Sequence, residues 1–151
     1  MYSRVKEWSL RYLPPEILSL LFTILAVPIT YKITGDRLSV ALSATWIGNI
    51  GYFGYLLTSD IIVAKKAIHK TGGRYTGTSF FKNIRALFAE FGLAELLDSF
   101  LIRPALMFYL PILTGSLTAG SVMAKIIADT TFYIPAIISY ELTKSRLRKF
   151  D

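Results

Sequence analysis

The stretch from Val122 to Leu142, VMAKIIADTTFYIPAIISYEL, has the length and apolar content of a membrane-spanning helix, yet Lys125 and Asp129 stand one turn apart inside it. Ionisable side chains at such depth are costly, so each needs a buried partner or a water- or ligand-filled cavity. That requirement constrains the rest of the chain, because the partners must come from other helices. Composition agrees with a membrane setting: 53% of the 151 residues are hydrophobic and 18% charged, with mean hydropathy +0.48. A soluble domain carries about a quarter charged residues. There is no cysteine and a single histidine, His69, so neither a thiolate nor a histidine-ligated metal or haem site is expected, and no cofactor.

A net charge of +7 would suggest nucleic acid as partner in a soluble protein, but here the lysines and arginines flank apolar runs. That placement points instead to anionic lipid headgroups. The N-terminal residues show no short apolar core followed by a small-residue cleavage site, so no cleaved signal peptide is expected.

Residues 1–15 interleave Arg4, Lys6 and Arg11 with Val5, Trp8, Leu10, Tyr12 and Leu13, the pattern of a short helix lying in the headgroup region. Pro14-Pro15 is expected to break it and start the first span, with Glu16 favoured by the positive end of the helix dipole. Four spans follow, at about 17–33, 38–64, 96–113 and 120–142. Turns at Thr34-Gly35-Asp36 and 114–120 join them as two hairpins, and Gly48, Gly51 and Gly54 allow close helix approach in the second span. Lys65 to Phe81 reads as the connecting loop, and Phe80 to Leu97 as an amphipathic interfacial helix feeding the third span. The predicted fold is therefore an all-α integral membrane domain of four transmembrane helices, with amphipathic interfacial segments.

Short-loop lysine and arginine bias sets orientation. Arg4, Lys6, Arg11, six basic residues from Lys65 to Arg85, and Lys144, Arg146, Arg148 and Lys149 share one side, against Lys32 and Arg37 on the other. Both termini are thus expected in the cytoplasm. The hairpins also align at an offset of 80 residues, placing Thr34-Gly35 on Thr114-Gly115, Ser19 on Ser99, Ala44 on Ala124 and Asn49 on Asp129. A duplication would make them a parallel repeat about an axis along the membrane normal.

Counting inward from the outer turns at 1.5 Å per residue puts Thr23, Asn49, Arg103 and Asp129 each roughly 15 Å deep, near the middle of the hydrocarbon core. Two readings fit this layer. In one, Arg103 and Asp129 neutralise each other while Asn49 and Thr23 hydrogen-bond around them as helix glue. In the other, the layer lines a polar path or headgroup site in which Arg103 grips an anionic group through its planar guanidinium. Lys125, nearer the outer end, is expected to snorkel outward and is the weaker site candidate. Glu90, Glu95 and Asp98 read as solvated or lysine-paired charge at helix ends. No phosphate-cradling glycine loop, HExxH pair or GxSxG elbow is present, so no catalytic residue is assigned and an enzyme is not expected.

The segment AKIIADTTFY at 124–133, with Ser139-Tyr140 and the basic ending Arg148-Lys149-Phe150, resembles the last helix and tail of GtrA-like proteins, which are small four-span membrane proteins of cell-surface polysaccharide synthesis. The resemblance implies a component that moves lipid or polyprenyl-linked sugars, and the candidate polar site for such a role is the one that the depth count supplies, Arg103, Asp129 and Asn49. The alternative is an accessory subunit whose basic cytoplasmic face recruits a partner. Self-association or pairing with another membrane protein is compatible with both.

Overall fold

The computed structural model describes residues 2–147, with side chains from Val5 to Leu142. The chain forms α1 (Tyr2–Thr34), α2 (Arg37–Lys70), α3 (Gly77–Leu97), a π-helical turn (Asp98–Ile102), α4 (Arg103–Thr114) and α5 (Leu117–Leu147). α3, the π turn and α4 make one continuous rod, so the bundle has four rods. All four are long and apolar enough to cross a membrane, as a multi-pass membrane protein requires.

The rods run past the predicted spans. The Pro14-Pro15 pair does not break the chain, and the predicted interfacial segment is the first part of α1. Two prolines leave the carbonyls of the preceding turn without helical donors, so this part of α1 must be held by side chains. It is: Arg11 reaches Asp60 of α2 at 3.0 Å and Glu90 of α3 at 2.8 Å, Tyr12 donates to Glu90 at 2.7 Å, and Trp8 donates to Glu141 of α5 at 2.9 Å. The predicted loop from Lys65 is likewise shorter than expected. α2 continues to Lys70, and the connection is Thr71 to Thr76. The Phe80–Leu97 stretch is not a separate interfacial helix. It belongs to the third rod and buries Asn83, Ala86, Leu87, Glu90 and Phe91 against the bundle. Of the predicted basic face, Arg4, Lys144, Arg146, Arg148 and Lys149 lie outside the described side chains.

Both hairpin turns use a left-handed glycine, Gly35 at φ 66° and Gly115 at φ 68°, a conformation that costs glycine nothing. At the first turn Asp36 caps α2, accepting from the Ser39 backbone N–H at 2.8 Å. That bond holds the Asp36 carboxyl below its usual range. Gly120 lets α5 lie against α4, since a Cβ there would sit 2.4 Å from Pro111 Cα. Gly48 and Gly51 do the same for α1 and α2, facing Ser19, Thr23 and Phe22, whereas Gly54 faces open space.

The π turn has a local cause and a local effect. Pro104 stands just after it, and a proline ring clashes with the carbonyl four residues upstream in a regular helix. The wider turn gives that carbonyl room and bonds the Arg103 N–H to the Asp98 carbonyl. Residues five apart, which diverge by about 140° on an α-helix, are stacked by this i→i+5 bond, so Asp98 and Arg103 both point into the bundle, where both are buried.

The interior is layered. One apolar cluster, nearer the hairpin turns, holds Val27, Val40, Ala41, Ala44, Met107 and Ala124. The other, towards the termini, is aromatic, with Tyr12, Tyr52, Phe91 and Phe132, the last two rings stacked at 5.7 Å. Between them along every rod lies a polar layer.

The two hairpins bury the same registers. Along α2 nine buried positions, Val40, Ala41, Ala44, Thr45, Gly48, Asn49, Tyr52, Leu56 and Asp60, recur 80 residues on in α5 as Gly120, Ser121, Ala124, Lys125, Ala128, Asp129, Phe132, Ala136 and Tyr140, all buried, whereas buried Gly51 falls on the exposed Thr131. On the other rod Ser19, Thr23 and Val27 match Ser99, Arg103 and Met107. Before the π turn the offset falls to 79, matching Tyr12 with Phe91 and Glu16 with Glu95, because the turn inserts one residue. Counterparts also touch. Tyr12 meets Phe91 edge-on at 6.1 Å, Tyr52 meets Phe132 at 6.2 Å, and Arg11 meets Glu90.

Candidate functional site

The polar layer joins side chains from all four rods into one network. Arg103 is at its centre: Nη1 donates to Asn49 Oδ1 at 3.0 Å, and Nη2 meets Asp129 Oδ1 at 2.9 Å and Asp98 Oδ2 at 2.5 Å. From Asp129 the chain of bonds passes to Lys125, whose Nζ lies 2.7 Å from Asp129 Oδ2 and 2.5 Å from Glu16 Oε1. Tyr133 completes that side by donating to Glu16. On the other side Asn49 Nδ2 donates to Glu95 Oε1 at 2.7 Å and approaches Ser99 Oγ at 2.5 Å, and Ser99 also hydrogen-bonds Glu95.

Of the sequence-predicted residues, Arg103, Asp129 and Asn49 come together as expected. Thr23 does not join them: it is buried beside Gly48 with its hydroxyl outside the network. Lys125 does not snorkel outward. It is 1% exposed, because two carboxylates from different rods meet it inside the bundle and replace the water it would otherwise seek. Both Nη atoms of Arg103 are taken, by Asn49 and by Asp129 and Asp98, and only the buried Nε is without a partner, so its guanidinium does not present the open fork that an incoming phosphate would need. Glu90, Glu95 and Asp98 are not solvated charges at helix ends. Glu90 is clamped by Arg11 and Tyr12, Asp98 pairs with Arg103, and Glu95 is in the layer. Glu16 contributes through its buried partner Lys125 and not through the helix dipole.

The layer is reached from two flanks. Between α2 and α3 runs a groove of about 460 Å³ whose walls include Trp46, Phe53, Phe88 and Phe91, and which ends on Asn49 and Glu95. Between α1 and α5 run two adjoining hollows of about 330 and 280 Å³ that share Glu16 and Tyr133, one of them also lined by Lys125 and Asp129. The flanks are built alike. Ile84, Leu87, Phe88, Phe91, Gly92 and Glu95 of α3 stand 79 residues after Val5, Trp8, Ser9, Tyr12, Leu13 and Glu16 of α1. Trp46, Asn49, Ile50, Phe53 and Leu57 of α2 stand 80 before Ile126, Asp129, Thr130, Tyr133 and Ile137. A small cavity of about 10 Å³, enough for about one water, lies between the flanks and is lined by Glu16, Asn49, Glu95, Arg103 and Asp129.

Sequence reasoning missed Glu16, Glu95, Asp98, Ser99 and Tyr133. The 79-residue spacing of Glu16 and Glu95 was a usable signal, hidden because the 80-residue alignment pairs Glu16 with Leu96. No family model, curated protein or solved structure matches the chain.

Proposed function

We propose that the chain is a component that moves a lipid or a lipid-linked sugar across the membrane, receiving the headgroup at the polar layer while the apolar tail stays in the bilayer. The observation that carries this is the aromatic-walled groove between α2 and α3, which opens on the bundle's flank and ends on Asn49 and Glu95. Carboxylates and amides hydrogen-bond sugar hydroxyls, and a mid-depth polar layer lowers the cost of a headgroup in transit. The resemblance of residues 124–133 to GtrA-like proteins supports the same reading. The matched burial of the hairpins and the contacts between counterparts support a duplication, arranged as a parallel repeat about the membrane normal.

The test is reconstitution. Headgroup-labelled polyprenyl and diacyl lipids in proteoliposomes should cross faster with the protein than without it, and Gly92→Trp, which fills the groove, should slow the crossing in a protein that still folds. Folded protein that leaves crossing at the rate of empty vesicles would favour the accessory reading.

A second observation supports that alternative. Lys65, Lys66, His69 and Arg74 line a cavity of about 490 Å³ at the α2–α3 connection, and the exposed Lys70, Lys82 and Arg85 lie near it in sequence. On a cytoplasmic face each such charge attracts an anionic leaflet by about 1 kcal/mol, or docks an acidic partner. Orientation follows from the same bias. Reporters placed after Asp151 and near Gly73 should both read cytoplasm, and one between Gly115 and Gly120 the outer side. A cytoplasmic signal at the last site would contradict the assigned orientation.

A further inference from the structure

We infer that the α2–α3 groove takes an amphiphile whose head is a protonated amine, seated on Glu95. This rests on the lateral-groove reading above and narrows it to a substrate class. Three observations lead here. The first is a mismatch of charge. Glu16, Glu95, Asp98 and Asp129 bring four carboxylates to the layer against two cations, Arg103 and Lys125. Three of the carboxylates share those two cations. Glu95 has no cationic side chain within ion-pair distance among the described residues, and its recorded partners are the neutral Asn49 and Ser99.

The second observation is a template within the chain. The flank between α1 and α5 repeats the α2–α3 groove position by position, and there the counterpart carboxylate, Glu16, already holds an ammonium, Lys125 Nζ at 2.5 Å. The counterpart of Lys125 in α2 is Thr45, whose hydroxyl donates back to the Ala41 carbonyl at 2.8 Å. One flank therefore contains a carboxylate with its ammonium supplied in cis, and the other contains the carboxylate alone. An incoming amine would make at Glu95 the contact that Lys125 makes at Glu16.

The third is the wall of the groove. Trp46, Phe53, Phe88 and Phe91 surround the approach to Glu95, and the π faces of aromatic rings attract cations in a desolvated setting. The same walls accept the apolar tail. A phosphate head would meet excess carboxylate and an Arg103 already engaged, so the site selects against it.

The two tryptophans make this measurable, because Trp46 lines this groove and Trp8 the other flank. In Trp8→Phe protein in zwitterionic nanodiscs, chain-brominated amphiphiles of one length bearing an amine, a hydroxyl or a phosphate are titrated against Trp46 fluorescence. The amine should quench saturably at about tenfold lower mole fraction than the alcohol, the scale of one charge-assisted contact, and the phosphate should be weakest. Glu95→Gln should bring the amine to about the level of the alcohol, while all three probes still quench saturably through their apolar chains, which shows that the groove is intact. Thr45→Lys, supplying the ammonium in cis, should abolish the preference for amine. Brominated phosphatidylethanolamine serves as a further arm: quenching by it identifies a bilayer lipid as the amine's source, and quenching by the free alkylamine alone identifies a single-chain ligand. Equal affinity for all three heads, or an amine preference that survives Glu95→Gln, overturns the inference and leaves the groove reading standing. Absence of saturable quenching by any probe overturns both.

Discussion

Arg103→Met is expected to cost the fold about 3 to 5 kcal/mol, the range seen when one member of a buried charge cluster is removed and its partners remain. The pairing pattern predicts which second change relieves it. Asp98 is 1% exposed, meets Arg103 Nη2, and its oxygens take no other hydrogen bond, so without Arg103 it is a buried charge with nothing beside it. Asp129 keeps Lys125. Adding Asp98→Leu to Arg103→Met should therefore restore much of the lost stability, since desolvation cost and attraction disappear together. Adding Asp129→Leu should restore less, because it takes from Lys125 one of its two carboxylates. Denaturation midpoints in detergent for the two double-mutant cycles measure the difference. If Asp129→Leu rescues as well as Asp98→Leu, the assignment of Asp98 as the private partner of Arg103 is wrong.

What could be read in the sequence was what depends on length and period. Apolar runs set the number of rods, and counting from the two turns at 1.5 Å per residue brought Asn49, Arg103 and Asp129 to one depth. The contacts among them agree with that count. Thr23 is level with them, since it faces Gly48, yet depth says nothing about which way a side chain turns. Lys125 shows the same limit from the other side. Its distance from the helix end allows snorkelling, and only the position of Glu16 on another rod makes the inward rotamer cheaper. Glu16, in turn, looked like a dipole partner because Pro14-Pro15 looked like a helix start.

The π turn hid most. It changes the helical phase of everything before it relative to everything after, so a fixed 80-residue offset pairs the second half of each hairpin's first rod and loses the first half. Glu16 and Glu95 then pass for unrelated residues. A single inserted residue next to Pro104 separates the sequence pattern from the spatial one.

Arg11 decides whether α1 stays one rod across Pro14-Pro15. The helix there lacks two backbone donors, and the side chains before the prolines supply the anchorage: Arg11 to Asp60 and Glu90, Tyr12 to Glu90, Trp8 to Glu141. Arg11→Met removes a cation that meets both Asp60 and Glu90 in this clamp. Glu90 is more buried than Asp60, so it bears the larger part of a loss of about 3 kcal/mol. The expected result is local before it is global. Amide exchange of residues 5–13 should rise by about two orders of magnitude, which corresponds to that loss, while the rods around Arg103 keep their protection because that network shares no side chain with the clamp. Arg11→Lys should recover part of it, since a lysine supplies the charge without the fork that spans two carboxylates. If instead protection falls equally at residues 5–13 and around Arg103, the clamp and the polar layer are one cooperative unit, and the continuity of α1 across its prolines must come from the helix itself.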